Sequence, residues 1–262
     1  MIVSINGKIV DEKHACIPVT SDAFLFGYSV FETIRTYNHK VFRLNDHLAR
    51  LYVSADVVGM KPEWSFKKTY RAVADALEKN PHKEAKIRVI LTRKDLIVTV
   101  EKHSPKPAKF YKDGITLVTY LGKRNTPRAK ILSDTFCYLA KQHAKRCGAV
   151  EALLVDPKSY VRECAYSNIF WVNDGKLNTT NKDILYGITR DTVIELSGKC
   201  HFDGIKYKSL LRADEIFITQ TSGGLIPVVE IDGHKIGTGK PGPATKKLMD
   251  AFAHLVKGET GK

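Results

Sequence analysis

Cysteine, tryptophan and methionine are scarce in this 262-residue chain, at five, two and three copies. The cysteines, Cys16, Cys137, Cys147, Cys164 and Cys200, are odd in number and scattered, with no C-x-x-C pair. That pattern excludes a disulfide framework and a zinc site of the usual spacing. It fits a reducing cytoplasm in which each thiol serves as a small buried apolar group. No apolar run approaches the roughly 18–20 residues that cross a bilayer. The first ten residues lack the basic and apolar regions of a signal peptide. Asn6-Gly7 between two short apolar runs predicts a strand, a tight turn and a strand instead. Internal repeats and low-complexity tracts are absent, as are zinc-finger, RNA-recognition and helix-turn-helix signatures. The net charge of +14 is spread over dispersed lysines. It reads as a solvated surface that steers small anions, with no nucleic-acid partner and no membrane.

What is present is an ordinary globular composition, 43% hydrophobic and 27% charged, long enough to bury a sizeable core. Asn45 or Asp46 is placed to cap a helix from His47 to about Val58, with Leu48, Leu51 and Ala55 on one face. Trp64 to Leu77 predicts a second helix. Lys86–Thr92 and Ile97–Val100 predict strands, followed by a Lys/Pro-rich loop at 104–109. Ile115–Thr119 predicts a further strand, and the turn-forming residues Gly122 to Pro127 a linker. The second half carries a helix that ends at Cys147 and Gly148. Hairpin signals follow at Asp156-Pro157, Asn173-Asp174-Gly175 and Asp232-Gly233. Two more helices are expected, from Thr189 to about Lys199 and from Pro243 to about Val256. Strands and helices mixed in two halves indicate an α/β or α+β protein.

Lys130 and Glu163 stand 33 positions apart. A helix-like segment and a hairpin-like strand pair run between them. An amine and a carboxylate are two groups that pyridoxal phosphate chemistry requires. The amine forms a Schiff base with the aldehyde, and the carboxylate keeps the pyridine nitrogen protonated. Two turns are suited to an anion. Leu185-Tyr186-Gly187-Ile188-Thr189-Arg190-Asp191 opens a helix, and Thr219-Gln220-Thr221-Ser222-Gly223-Gly224 is rich in small residues and hydroxyls. Arg50 can add a guanidinium or serve a surface ion pair.

Several segments together resemble the class IV aminotransferases, the fold-type IV pyridoxal phosphate enzymes. These are Asp22 to Arg35, with Phe31-Glu32-Thr33-Ile34-Arg35 at its end; His47-Leu48-Ala49-Arg50-Leu51; Glu163 with Ser167-Asn168-Ile169-Phe170; Leu185 with Gly187 to Asp191; and Gly237 to Lys247. They occur in the family's order and cover most of the chain. The resemblance implies two domains with the cofactor between them: a small α/β domain at 1–119, a linker at 120–127, and a larger pseudo-barrel domain at 128–262. It implies Lys130 as the Schiff-base lysine and Glu163 as the partner of the pyridine nitrogen. It also implies a phosphate cup of Arg50, Ile188, Thr189 and Thr221, with Leu185 packed on the ring. Asn168 is either a cofactor contact or a structural hydrogen-bonding residue. Substrate contacts fall to Phe31, Arg35, Arg88, Ser222 and Gly223, the two arginines having structural ion pairing as the alternative. A homodimer with shared active sites, amino-acid metabolism, and amino acid and 2-oxo acid substrates follow from the same resemblance.

The C-terminal stretch looks closest to branched-chain members, so a branched-chain-like amino acid is the expected substrate. The chain departs from them at Thr33, Val89, Thr135 and Cys164. D-amino-acid transaminase and aminodeoxychorismate lyase therefore stay open beside the branched-chain reading.

Overall fold

Alternation of apolar and polar residues builds the first half. The structure, a computed structural model, describes residues 1–261. Two units emerge from its contacts: residues 1–104, 128–133 and the C-terminal segment from 256 form one, and residues 105–127 and 134–255 the other.

The first unit contains β1 (Ile2–Ile5), β2 (Lys8–Val10), α1 (Asp22–Leu25), β3 (Val30–Tyr37), β4 (Lys40–Val41), α2 (Leu44–Val57), α3 (Phe66–Glu78), β5 (Ala85–Leu91) and β6 (Leu96–Lys102). The strands form an antiparallel six-stranded sheet in the order β2-β1-β6-β5-β3-β4. Asn6 and Gly7 make the expected turn, with φ of 53° and 77°. The period-2 alternation of β3, β5 and β6 sends Val30, Ile34, Ile87, Val89, Leu91, Leu96, Val98 and Val100 to one face. There they pack with Leu48, Leu51 and Ala55 of α2 and Ala72, Val73 and Ala76 of α3. The opposite face carries half-buried residues in rows set by the register. Phe31 pairs with Ile90 and Ile90 with Ile97; Thr33 pairs with Arg88 and Arg88 with Thr99.

Helix α2 starts at Leu44, three residues before the expected His47. Its N-cap is Arg43, in the left-handed region at φ 53°, with no side-chain cap bond. The guanidinium of Arg43 pairs with Asp46 (3.6 Å) and with Glu259 (2.9 Å). A tertiary ion pair thus accompanies a start that capping chemistry places later.

The second unit contains α4 (Ala108–Lys112), β7 (Ile115–Leu121), α5 (Thr135–Arg146), β8 (Glu151–Val155), β9 (Val161–Cys164), β10 (Asn168–Asn173), β11 (Lys176–Thr179), α6 (Ile188–Ser197), β12 (His201–Phe202), α7 (Tyr207–Leu210), β13 (Glu215–Gln220), β14 (Gly224–Ile231), β15 (His234–Lys235) and α8 (Pro243–Thr260), whose last turns count with the first unit. Its sheet runs β12-β11-β10-β13-β14-β7-β8-β9, with β15 beside β14. The end strand β9 leads back to β10 through a three-residue turn closed by Cys164 N–H donating to Ser167 O (2.7 Å). The sheet therefore curls on itself. Ile115, Leu153, Val161, Ile169, Trp171, Ile216 and Ile226 are among its core residues. Phe170 and Phe217 stack with centroids 4.9 Å apart.

Of the thiols, Cys137 and Cys164 are buried and Cys200 partly so, whereas Cys16 and Cys147 are exposed, so the expected burial fails at those two. All five are free. Among the described residues no helix is long and apolar enough to cross a membrane.

Candidate active site

In the first unit, Lys130 is held by its backbone. Its N–H donates to Ser54 Oγ (3.1 Å) and its carbonyl accepts from Phe31 N–H (2.9 Å). Leu132 N–H donates to Ser29 O (3.0 Å), and Ile131 bridges Val30. This short extended stretch alongside β3 sets the lysine against the half-buried face of the sheet. The Lys130 ammonium lies 4.5 Å from the Phe31 ring centroid, and the Arg88 guanidinium 5.0 Å from the same centroid. No ion pair among the described residues involves Arg88. Arg35 is different: it pairs with Glu84 (3.4 Å) and lies 3.8 Å over the Tyr37 ring. Structural pairing, the alternative reading for both arginines, is what the geometry shows for Arg35.

The buried side of β3 holds a residue to which the sequence reading gave no role. Glu32 is fully buried and accepts from Arg50 in a two-point fork, Nε to Oε1 and Nη2 to Oε2, both at 2.7 Å. His47 Nδ1 lies 2.8 Å from Oε2. Burial pushes the Glu32 carboxyl up, but the charge of Arg50 and the hydrogen bonds from His47 and Arg50 outweigh it and bring it to about 2. Burial, with the charges of Arg50 and Lys130, lowers His47 despite Glu32. The His47–Glu32 contact is therefore a neutral imidazole N–H donating to a carboxylate, although its distance alone would admit an ion pair. The signal was present in the sequence: a glutamate at a core position of an alternating strand, and a histidine and an arginine three apart on one helix face.

In the second unit, Glu163 of β9 is 2% exposed. Arg124 Nε donates to Oε1 (2.9 Å), Asn168 Nδ2 donates to Oε2 (3.3 Å), and the Leu185 N–H reaches both oxygens (3.2 and 3.3 Å). Arg124 also donates to Ala165 O (2.7 Å) and pairs with Asp134. Burial opposes the charge on Arg124, but Glu163, with help from Asp134, holds its guanidinium above the ordinary range. Arg124 and Asp134 lay outside the sequence reading, because an arginine in a turn-rich segment carries no periodic signal.

Asn168 donates to Leu185 O (2.8 Å) as well, tying the strand to the turn before α6. That helix begins at Ile188 with Gly187 as N-cap, one residue before the expected start, and no side chain caps its first turn. A Cβ on Gly187 would stand 2.1 Å from Asn168 Oδ1. Gly187→Ala is thus expected to push Asn168 off Glu163, lowering stability by roughly 1–3 kcal/mol, measured by urea denaturation. Thr189 is 6% exposed. In the other turn, Ser222 Oγ donates to Gln220 Oε1 (3.0 Å) and Gly223 N–H to Gln220 O (3.2 Å). Thr221 and Ser222 are partly exposed, Gly223 is buried, and Thr219 Oγ1 is buried without a hydrogen-bond partner.

The expected site residues therefore fall into two sets. Phe31, Arg88, Lys130 and the Glu32-bound Arg50 belong to the first unit. Glu163, Asn168, Leu185, Ile188, Thr189, Thr221, Ser222 and Gly223 belong to the second.

Comparison with known proteins bears on this arrangement. The model of the family described as amino-transferase class IV matches residues 29–231. A putative branched-chain-amino-acid aminotransferase of Methanocaldococcus jannaschii is 36% identical, covering 97% of this chain and 96% of its own. A D-alanine aminotransferase of Bacillus licheniformis is 31% identical over 100% and 99% of the two chains. A solved branched-chain amino acid aminotransferase of Escherichia coli has a TM-score of 0.92 at 30% identity, covering 99% of this chain and 95% of that one. The curled sheet, the antiparallel sheet with its two helices, and these full-length likenesses agree, and the chain belongs to the class IV aminotransferase family.

Proposed function

We propose that this protein is a pyridoxal phosphate-dependent transaminase that moves an amino group from a branched-chain-like amino acid to a 2-oxo acid, with Lys130 as its catalytic amine. The observation that carries the substrate reading is the row Phe31–Ile90–Ile97 on the half-buried face of the first unit. The Lys130 amine lies against Phe31, at one end of that row, and Arg88 stands one row away. An apolar strip beside the amine suits an aliphatic side chain. An arginine without an ion-pair partner suits a carboxylate, such as the distal acid of a dicarboxylic acceptor.

Two features of the second unit fit the cofactor. Gly187 leaves no room for a side chain beside Asn168, and no side chain caps the first turn of α6. Thr219 offers a buried hydroxyl without a partner, two residues before Thr221. In this reading Ile188, Thr189 and Thr221 hold the phosphate with amides and hydroxyls, while the charge of Arg50 is matched by Glu32. Glu163 would pair with the pyridine nitrogen and Leu185 would pack on the ring, while Asn168 and Arg124 fix that carboxylate. When bound, pyridoxal phosphate supplies an aldehyde for the amine and a ring that takes up electrons from the substrate's α-carbon. Lys130 Nζ takes the α-proton and later returns it. Ser222 and Gly223 present donors to the substrate carboxylate, while Arg35, paired with Glu84, is read as structural.

The test is the visible absorbance of the protein loaded with the cofactor. A band in the wild type that is missing in Lys130→Ala supports the lysine's role. Its loss on adding L-leucine or L-valine supports the branched-chain reading. Loss with D-alanine instead would move the substrate to the D-amino-acid branch, to which the Bacillus relative points. Pyruvate released from aminodeoxychorismate without an acceptor would indicate the lyase branch. We also place two copies in the active assembly. Phe24, Leu25 and Phe26 of the α1 segment are 59%, 56% and 74% exposed, an apolar surface that a second copy would cover. Sedimentation at twice the chain mass supports this. The five free thiols favour a cytoplasmic setting.

A further inference from the structure

The second unit has a cleft of about 730 Å3 that shares no lining residue with either anion-suited turn. It is lined by Lys123, Lys158, Arg162 and Lys182 on the positive side and by Asp156 and Asp183 on the negative. Tyr160, Thr180, Asn181 and Gly204 complete it.

Both carboxylates are already committed. Arg162 donates to Asp156 Oδ2 from Nη2 (2.5 Å) and Nε (3.1 Å), and Asp156 Oδ1 accepts from the N–H groups of Lys158 and Tyr160 (both 2.9 Å). Burial would raise Asp156, yet the Tyr160 amide and Arg162 hold it below its ordinary value. Asp183 accepts from Lys123 (2.8 Å) and lies 3.7 Å from Arg162. Lys158 and Lys182 form no ion pair among the described residues, although the charge of Lys182 helps, after Lys123 and Arg162, to lower Asp183. Four cations against two paired anions leave the cleft with two positive charges in excess.

The backbone that carries those two lysines is fixed. The turn of Lys158 is closed on Asp156 Oδ1 and passes through Ser159 at φ 63°. Lys182 is held by its carbonyl, which accepts from Arg162 Nη1 (3.4 Å), and is followed by Asp183 at φ 58°. The same buried guanidinium thus ties both turns together, and the lysines extend from a braced rim.

We propose that this cleft binds a small phosphate-bearing dianion, of the phosphate monoester class. Lys158 and Lys182 would neutralise its two charges, and Thr180 and Asn181 would offer hydrogen bonds to its oxygens. The dianion matches the excess charge, and the cleft volume accommodates a phosphorylated molecule of metabolite size. A monoanionic carboxylate would leave one lysine unmatched. The inference does not depend on the cofactor reading, since no residue assigned to the cofactor lines the cleft.

The test is equilibrium dialysis of radiolabelled inorganic phosphate against the cofactor-loaded protein at pH 8 and low salt, with acetate as the monoanionic competitor. One saturable phosphate per chain is expected, little displaced by acetate. In the double variant Lys158→Glu/Lys182→Glu the affinity should fall by at least about tenfold. In Lys8→Glu/Lys112→Glu, with the same change of net charge outside the cleft, it should be retained. Lack of saturable binding, equal loss in both double variants, or full retention in Lys158→Glu/Lys182→Glu would each overturn the proposal. The visible band of the loaded protein, followed alongside, shows separately whether the cofactor remains bound.

Discussion

Glu32→Gln is expected to destabilise the first unit by about 3–5 kcal/mol at pH 7. Glu32 is the carboxylate of this buried cluster, and it neutralises Arg50 while accepting from His47. A glutamine retains the shape but turns an amide NH2 toward one donor and leaves a buried guanidinium uncompensated. Acid should reveal the same cluster in the wild type. A carboxyl held near 2 in the folded chain, against 4.5 ordinarily, gives stability that is present above the ordinary value and lost as pH falls toward 2. The loss attributable to this group is about 3 kcal/mol. His47 acts in the same sense at higher pH. Its folded value lies below the ordinary 6.5, so its contribution is full above that pH and declines beneath it. Urea midpoints of both proteins between pH 7 and pH 3 check this. The two curves should converge in acid, and a constant gap would show that the carboxylate is not what holds Arg50.

The sequence made the surfaces of this fold legible wherever a period repeated. The alternation of β5 and β6, the Asn6-Gly7 turn and the apolar face of α2 each have one local solution, and the structure adopts it. Helix starts were less legible. Arg43 and Gly187 cap α2 and α6 without side-chain bonds, and what surrounds them is tertiary: the Arg43–Glu259 pair and the approach of Asn168 to Gly187. The short elements α1, α4 and α7 have too few residues to show a period at all. At the site, the family pattern proposes which groups handle anions and amines. The groups that hold them could not be named, because Arg124 reaches Glu163 from 39 positions away and Arg50 reaches Glu32 from 18. Arg35 and Arg88 look alike in sequence, both facing the same side of one sheet. Only the placement of Glu84 and Tyr37 separates the one engaged in pairing from the one with no ion pair among the described residues.

Glu163→Gln should lower kcat by about 100- to 1,000-fold while leaving the second unit folded. The carboxylate is oriented before any ligand arrives, by Arg124 on one oxygen, Asn168 on the other and the Leu185 amide across both. Such preorganisation matters most for charge, and replacing the charge with a neutral amide at a buried contact costs roughly 3–4 kcal/mol of transition-state stabilisation. The fold survives because Arg124 keeps Asp134 and the Ala165 carbonyl, and because glutamine still accepts from Leu185. Arg124→Met behaves in the opposite way. It leaves Glu163 and Asp134 without their shared cation, so stability falls together with activity. Measuring kcat, KM and urea midpoints for both variants separates the two roles. A Glu163→Gln enzyme within about threefold of wild-type kcat would remove Glu163 from the chemistry and leave it as the anchor of Arg124.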